Sequence, residues 1–189
     1  MKTTVNVSNR HIHLSREHID VLFGKGYELT KQKVLMQSYQ FAANETLTVA
    51  GPRSEIKGVR VVGPERNQTQ VEMTVADARS IGVAAPVRLS GNLKGSGSAV
   101  LKGPKGTVEI KESVIVAKRH IHISETDAGE MNLKTGDEVS IKICGERALT
   151  YENVVIRTDE KNAEPECHLD IEEANAALIK NGDKADIIK

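Results

Sequence analysis

Two short segments of the chain each carry a pair of histidines separated by one residue. His11 and His13 form the first pair, and His120 and His122 form the second. On a β-strand, side chains at positions i and i+2 project from the same face about 7 Å apart, so each pair can chelate one ion without bending the backbone. A single H-x-H segment is often a surface strand with no ligand role. Its duplication in one chain favours two metal sites.

The two histidine pairs lie within an internal repeat. The segment VNVSNRHIHLS at 5–15 returns as VIVAKRHIHIS at 114–124, with seven of eleven positions identical. A second pair of segments, QVEMTVADA at 70–78 and ECHLDIEEA at 166–174, places Glu72 opposite His168. We therefore predict Glu72 as the third ligand of the first site and His168 as that of the second. Three protein ligands leave one position for water or substrate, which is typical of a catalytic metal.

Each of these four segments is predicted to be a short strand that turns directly into a helix. The last candidate ligands of the four segments are His13, Glu72, His122 and His168. Two residues after each comes a good helix N-cap: Ser15, Thr74, Ser124 and Asp170. In three of the four, an acidic residue follows three positions later, as in a capping box or an acidic first turn. The sequence thus predicts helices over about 15–23, 74–81, 124–131 and 170–180.

The rest of the chain predicts further short strands between closely spaced turns, at 46–50, 59–62, 86–89, 98–101, 107–110, 138–143 and 154–157. This pattern favours a mixed α/β, β-rich fold of two pseudo-symmetric small β-barrels capped by short helices over a parallel Rossmann-type sheet. The repeat divides the chain near residue 96. We predict a first half, 1–96, with one H-x-H pair and the Glu ligand, and a second half, 97–189, with the other pair and the His ligand; strands can be exchanged between them.

Composition disfavours several functional classes. The 26 basic residues are balanced by 26 acidic ones, so no net positive field favours nucleic acid. The sequence has no run of about 18 apolar residues, so it predicts no membrane-spanning helix. Cys144 and Cys167 form neither a C-x-x-C pair nor a secretory disulfide framework, which favours a reduced, cytoplasmic setting. Aromatic residues are scarce, so the core is expected to be aliphatic.

Three arginines, Arg53, Arg60 and Arg66, lie near two G-P turns. Arg66 precedes Glu72 by six residues, so an extended segment or tight loop can bring its guanidinium to the first metal. There it can grip two phosphate oxygens at once. Any one of the three, taken alone, is more readily explained as an exposed arginine on a turn.

Several segments together resemble the PduL-type phosphate acyltransferases, also called phosphate propanoyltransferases. The resemblance runs through nearly the whole chain and rests on VSNRHIHLS at 7–15, QFAANET at 40–46, VVGPERNQTQVE at 61–72, AKRHIHIS at 117–124 and HLDIEEAN at 168–175. It implies reversible conversion of an acyl-CoA, such as propanoyl-CoA or acetyl-CoA, and phosphate into acyl phosphate and free CoA. It also implies two zinc ions per chain, a fold of two β-barrels, and a homodimer.

The resemblance assigns roles residue by residue. By position, His11, His13 and Glu72 resemble the family's ligands for one zinc, and His120, His122 and His168 those for the other. Arg66 corresponds to the catalytic, phosphate-binding arginine. The positions that correspond to CoA contacts are Val7, Ser8, Asn9, Arg53, Arg60 and Asn175. Position 53 is commonly lysine in such proteins, and the arginine of this chain keeps the positive charge of that contact.

Members packed into bacterial microcompartments tend to carry an amphipathic N-terminal extension, whereas this chain begins only ten residues before His11. We therefore expect a free cytoplasmic enzyme, with microcompartment association as the alternative. We also expect direct displacement by phosphate, without an acyl-enzyme. Two other functions stay open at this point: a zinc-dependent thioester hydrolase, and a noncatalytic metal- or CoA-binding module.

Overall fold

The computed structural model of the chain describes residues 1–35, 39–158 and 164–189. These residues form fourteen strands: β1 (Lys2–Ser8), β2 (His11–His13), β3 (Lys31–Val34), β4 (Phe41–Ala50), β5 (Glu55–Gly63), β6 (Gln70–Glu72), β7 (Val87–Arg88), β8 (Gly97–Lys102), β9 (Thr107–Ala117), β10 (His120–Ile123), β11 (Glu138–Ile143), β12 (Leu149–Thr158), β13 (Glu166–Asp170) and β14 (Lys184–Ile188). The helices among them are α1 (Arg16–Phe23), α2 (Val75–Ile81), α3 (Glu125–Glu130) and α4 (Ile171–Ala177).

The described chain divides into two compact units. The first barrel comprises Asn9–Ala117, and the second barrel comprises Met1–Ser8 with Lys118–Lys189. The second barrel closes in the order β1-β13-β10-β12-β11-β14, because β14 pairs back onto β1. The first closes in the order β4-β5-β2-β6-β9-β8, because β8 pairs with both β9 and β4, while β3 and β7 are added at its margins. The β-rich, two-barrel architecture predicted from the sequence is confirmed.

The two barrels place their H-x-H strands in the same way. In the first, β2 runs parallel to β5 and antiparallel to β6. In the second, β10 runs parallel to β12 and antiparallel to β13. The unit boundaries fall inside the repeated segment, between Ser8 and Asn9 in one copy and between Ala117 and Lys118 in the other. Each copy of the repeat therefore carries the chain from one barrel into the other.

The helices begin where the sequence predicts. Ser15, Thr74, Ser124 and Asp170 are the N-caps, and each accepts a hydrogen bond from the backbone N–H three residues later. Asp170 and Glu173 complete a reciprocal capping box. The last helix ends at Ala177, three residues earlier than the predicted limit near 180. None of the described helices has the length and apolar character needed to cross a membrane.

Each barrel has an aliphatic core, as the composition predicts. Ile12 and Ile121, the residues between the paired histidines, are fully buried in the cores of the first and second barrels respectively. Because side chains alternate along a strand, the flanking histidines face the other side of the sheet. Burial of one such isoleucine contributes about 1.5–3 kcal/mol to folding, so the core packing that closes each barrel also fixes the histidine pair.

Candidate metal centres

The first cluster joins two adjacent strands of the first barrel. His11 on β2 and Glu72 on β6 are direct cross-strand partners, and His13 lies two residues along β2. Glu72 Oε2 is 3.5 Å from His11 Nε2, and Glu72 Oε1 is 4.0 Å from His13 Nε2. A tetrahedral ion bound at about 2.0–2.1 Å separates its donors by about 3.3 Å, so small side-chain shifts bring these atoms to coordination distance. The donor set therefore fits a divalent metal.

Backbone carbonyls orient both imidazoles of this cluster. His11 Nδ1 lies 2.7 Å from the carbonyl oxygen of Asn9, and His13 Nδ1 lies 3.1 Å from that of Val62. A carbonyl oxygen only accepts hydrogen bonds, so we infer that each Nδ1 carries the hydrogen. Each Nε2 then presents its lone pair toward Glu72, as metal-binding histidines held by a backbone acceptor do.

The second cluster consists of His120, His122 and His168, each of which offers one ligand atom within 4.8 Å of the others. His120 on β10 and His168 on β13 are direct cross-strand partners, and their rings stack with centroids 4.8 Å apart. Within the described part of the chain, the buried Nδ1 of His122 has no hydrogen-bond partner. A buried polar atom left unpaired costs about 1–3 kcal/mol, so this donor set also favours a bound cation.

Glu166 lies beside the second cluster. Its Oε1 accepts a hydrogen bond of 2.6 Å from Asn6 Nδ2 and lies 2.9 Å from His168 Nε2. The contact with His168 is close enough for strong electrostatic attraction but lacks the alignment of a hydrogen bond. Burial by itself raises the pKa of Glu166, but the contacts with His168 and Asn6 outweigh it and hold the pKa below its ordinary value.

Burial keeps the inner histidines neutral. It lowers the pKa of His13 well below its ordinary value, and the nearby His11 and Arg66 lower it further. Burial also lowers the pKa of His122 to about 3, with further contributions from His120 and His168. Neutral imidazoles have the free lone pair that a metal requires, so both clusters are ready to bind a cation near neutral pH.

Ion pairs connect each H-x-H strand to a helix of the same barrel: α2, which follows Glu72, and α4, which follows His168. Arg10, directly before His11, contacts both carboxylate oxygens of Asp77 in α2 at 3.1 and 3.2 Å. Arg119, directly before His120, contacts Glu173 in α4 at 2.9 Å. The same arrangement in both barrels holds the two halves of each cluster together.

A hydrogen-bond network joins Arg66 to the first cluster. Arg66 Nη1 donates to Ser90 Oγ (3.0 Å), and Gln70 Nε2 donates both to Ser90 Oγ (2.8 Å) and to Glu72 Oε1 (2.6 Å). Gln70 is buried, and its own oxygen accepts from the backbone N–H of Gly91 at 2.8 Å. The structure thus brings Arg66 toward Glu72 through two polar side chains.

Sequence reasoning missed Gln70 and Ser90. The position of Gln70, two residues before Glu72 on the same strand face, is a signal that could have found it. Ser90 lies in a loop about twenty residues away and has no local signal; only folding brings it to this network.

The residues aligned with CoA contacts are distributed over both units. In the first barrel, Asn9 and Arg53 are exposed, while Arg60 lies on β5 next to His11 and donates to the carbonyl oxygens of Ala43 and Asn44 at 2.9 Å. Arg53 lines an open cavity of about 360 Å³, together with Val75, Ala78, Arg79, Gly82, Val83, Ala84 and Ala85.

In the second barrel, Val7 and Ser8 end β1 and pair with Leu169 and Asp170 of β13. Asn175 is exposed on α4, directly after this strand. These three residues therefore lie at one end of the strand pair, near the His168 segment of the same unit.

Comparison with known proteins agrees with the sequence resemblance. The profile of the phosphate propanoyltransferase family matches residues 4–180. A phosphate propanoyltransferase of Lachnoclostridium phytofermentans is 50% identical over 179 residues, which cover 94% of this chain and 83% of the relative. Those of Thermotoga maritima and Rhodopseudomonas palustris are 47% and 46% identical over 186 and 188 residues, covering 98% and 100% of this chain and 88% and 83% of the relatives. The chain therefore belongs to the phosphate propanoyltransferase family and is an acyltransferase.

Proposed function

We propose that this enzyme converts an acyl-CoA and inorganic phosphate into acyl phosphate and free CoA, reversibly, with propanoyl-CoA and acetyl-CoA as candidate substrates. The relatives named phosphate propanoyltransferase support the phosphate and propanoyl parts of this proposal. The observation that carries it is the link from Arg66 through Ser90 and Gln70 to Glu72. A permanently charged guanidinium beside a His/His/Glu cluster suits a phosphate dianion.

The proposal includes two zinc ions per chain. His11, His13 and Glu72 would hold one, and His120, His122 and His168 the other; imidazole and carboxylate donors fit a borderline divalent ion. An ion held there would supply a Lewis acid that polarises an oxygen, and it would be soft enough to bind a thiolate. The low pKa of His13 and of His122 supports this assignment, because protons compete weakly for these two nitrogens.

Arg66 binds and orients the phosphate in this mechanism. Its Nη1 is fixed by Ser90, and Gln70 holds Ser90 in place, so the guanidinium is aimed before the substrate arrives. A phosphate oxygen attacks the thioester carbonyl carbon; the new C–O bond forms, the C–S bond breaks, and CoA departs as its thiolate. Orientation of the two reactants and neutralisation of their charge lower the barrier.

No protein nucleophile is needed for this displacement. Cys167 is an unsuitable one, since burial raises the pKa of its thiol and its side chain packs in the core of the second barrel. We therefore propose a direct transfer without an acyl-enzyme. Rapid-quench trapping of acylated protein in the absence of phosphate would contradict it.

CoA contacts by Val7, Ser8, Asn9, Arg53, Arg60 and Asn175 belong to the same proposal. The open cavity beside Arg53 supports the assignment of that residue, because it combines arginine side chains with apolar walls. Assembly as a homodimer and a cytoplasmic location complete the proposal.

The test follows release of CoA from propanoyl-CoA and acetyl-CoA with and without phosphate, before and after removal of metal by a chelator. We expect release to require both phosphate and metal, with acyl phosphate formed in equal amount. Release that proceeds without phosphate would instead identify a thioester hydrolase. Lys111→Ala, which removes an exposed cation from β9, serves as the control for Arg66→Ala and is expected to keep the wild-type rate.

A further inference from the structure

In each barrel, four side chains form a rectangle on one face of two neighbouring strands. In the first, His11 lies opposite Glu72 and His13 lies opposite Gln70. In the second, His120 lies opposite His168 and His122 lies opposite Glu166. Three corners of each rectangle are the cluster residues already described. The fourth corners, Gln70 and Glu166, are therefore equivalent positions.

Both fourth corners contact the third cluster residue on their own strand, with donor and acceptor exchanged. Gln70 presents an amide N–H to the carboxylate of Glu72 at 2.6 Å. Glu166 presents a carboxylate to the imidazole of His168 at 2.9 Å. Each rectangle therefore contains one carboxylate, at the third corner in the first barrel and at the fourth corner in the second.

A nearby positive charge would stabilise the carboxylate of Glu166. Its side chain is buried, and among the described residues no lysine or arginine pairs with it. Asn6 Nδ2 donates the hydrogen bond of 2.6 Å that fixes the carboxylate in place. A buried carboxylate that no lysine or arginine neutralises is costly, and a cation bound by the neighbouring imidazoles would offset that cost.

Glu166 also continues a pattern seen at other histidines of the clusters. Nδ1 of His11 and Nδ1 of His120 each face a carbonyl oxygen two residues earlier in the chain. His168 instead faces, through Nε2, the carboxylate of the residue two positions earlier. Metal-binding histidines commonly pair their other nitrogen with such an oxygen, and a carboxylate there makes the ring a more basic ligand.

We propose that Glu166 is a positioning residue of the second cluster: it holds His168 through Nε2, leaves Nδ1 of His168 to bind the cation, and compensates the charge of that cation from outside its coordination sphere. This inference rests on the proposed metal binding. It predicts that Glu166 controls the affinity of the second site without changing the number of ions bound.

The test uses the full-length His13→Ala chain, so that the second cluster is studied alone, and measures Zn²⁺ affinity by chelator competition and Co²⁺ absorption. Glu166→Gln keeps an oxygen acceptor but removes the charge, and we expect affinity to fall about tenfold; Glu166→Ala should lower it by up to about 100-fold. One ion remains bound, and the Co²⁺ spectrum keeps the coordination number of the parent. Glu164→Gln, which removes an exposed carboxylate two residues earlier, is the matched control and should leave affinity unchanged.

Three outcomes separate the inference from its premise. Unchanged affinity in Glu166→Gln and Glu166→Ala overturns the positioning role while the metal site stands. A change of Co²⁺ coordination number in Glu166→Gln overturns it in favour of direct ligation. Absence of any ion from the parent chain refutes the proposed function itself. If the Glu166 variants fail to fold, Asn6→Ala replaces them, because it removes only the hydrogen bond that fixes the Glu166 carboxylate. We expect this variant to bind Zn²⁺ more weakly, by a factor below about ten. Unchanged affinity in Asn6→Ala would also overturn the positioning role.

Discussion

His11 and His120 are oriented by the same contact in the two barrels. His11 Nδ1 faces the carbonyl oxygen of Asn9 at 2.7 Å, and His120 Nδ1 faces that of Lys118 at 2.9 Å. In both, the acceptor belongs to the residue two positions earlier, so the local turn before the strand fixes the ring without help from the rest of the barrel. Each cluster, in its own barrel, therefore has its own local contact that orients its first histidine.

The first prediction concerns metal stoichiometry. His11→Ala removes one donor from the first cluster only, and His120→Ala removes one from the second only. We expect elemental analysis of dialysed protein to find about two divalent ions in the wild type and about one in each variant, because three-donor sites bind weakly after losing a donor. Loss of both ions on either single substitution would contradict the independence of the clusters.

The second prediction concerns Arg66. Arg66→Ala removes a charge-assisted, bidentate contact worth about 1.5–3 kcal/mol, so we expect kcat/KM for phosphate to fall roughly 10- to 150-fold. Arg66→Lys keeps the charge without the fork geometry, so its kcat/KM should lie between those of the wild type and Arg66→Ala. Initial rates at varied phosphate and varied acyl-CoA provide the measurement. A loss confined to the KM for acyl-CoA would place Arg66 on the other substrate.

Ser90→Ala gives a third prediction, because Ser90 is the side chain that joins Arg66 to Gln70. Loss of its hydroxyl removes one contact of the guanidinium but leaves its charge. We expect kcat/KM for phosphate to fall about five- to tenfold, which corresponds to about 1–1.4 kcal/mol of lost positioning of the guanidinium, with unchanged metal content. A loss as large as that of Arg66→Ala would imply that Ser90 touches the substrate directly.

The fourth prediction concerns pH and metal-free protein. The pKa of His122 is lowered to about 3 by burial and by its neighbours, so between about pH 6.5 and 3 the unfolded chain binds a proton there that the folded chain does not. The free energy of unfolding therefore decreases as pH falls through this range, by up to about 1.4 kcal/mol per pH unit for this one group. Urea unfolding of chelator-treated protein at several pH values measures the slope. His122→Gln, which cannot take up the proton, should reduce that slope; an unchanged slope would contradict the assignment.

A fifth prediction distinguishes the two thiols. Cys144 is exposed, whereas Cys167 is buried and burial raises the pKa of its thiol. We expect a thiol reagent to modify one cysteine in the native protein and both after denaturation, because the thiolate is the reactive form. Cys144→Ser should abolish the native reaction. Rapid native labelling of Cys167 would show that the second barrel opens readily.

The sequence predicted the clusters because their residues follow a local period. Histidines at i and i+2 share a strand face whatever the rest of the fold does, and the repeat identified Glu72 and His168 as equivalents. The same alternation explains why Cys167, next to His168 on β13, is buried. N-cap chemistry likewise predicted where all four helices begin.

Other features depend on distant parts of the chain and left no local pattern. Strand β3 has four exposed residues and no alternation of polar and apolar positions, so nothing in it indicated a strand. Strand β14 was also missed; it is a short run after a turn and forms by pairing with β1 and β11. Ser90 and Asn6 contact the clusters only because tertiary folding brings them there.

The assignment of β1 to the second barrel also bears on how the protein is made. Asn6 and Glu166 are hydrogen-bonded across a separation of 160 residues, and β14, the other neighbour of β1, follows later still. On the ribosome, the first barrel has all of its strands once residue 117 has emerged, whereas β1 has to wait for nearly the whole chain. Such non-local pairing slows folding and leaves a strand edge open to aggregation in the meantime. A rearranged gene that encodes residues 1–8 after residue 189 would make the second barrel continuous in sequence and should shorten that vulnerable interval.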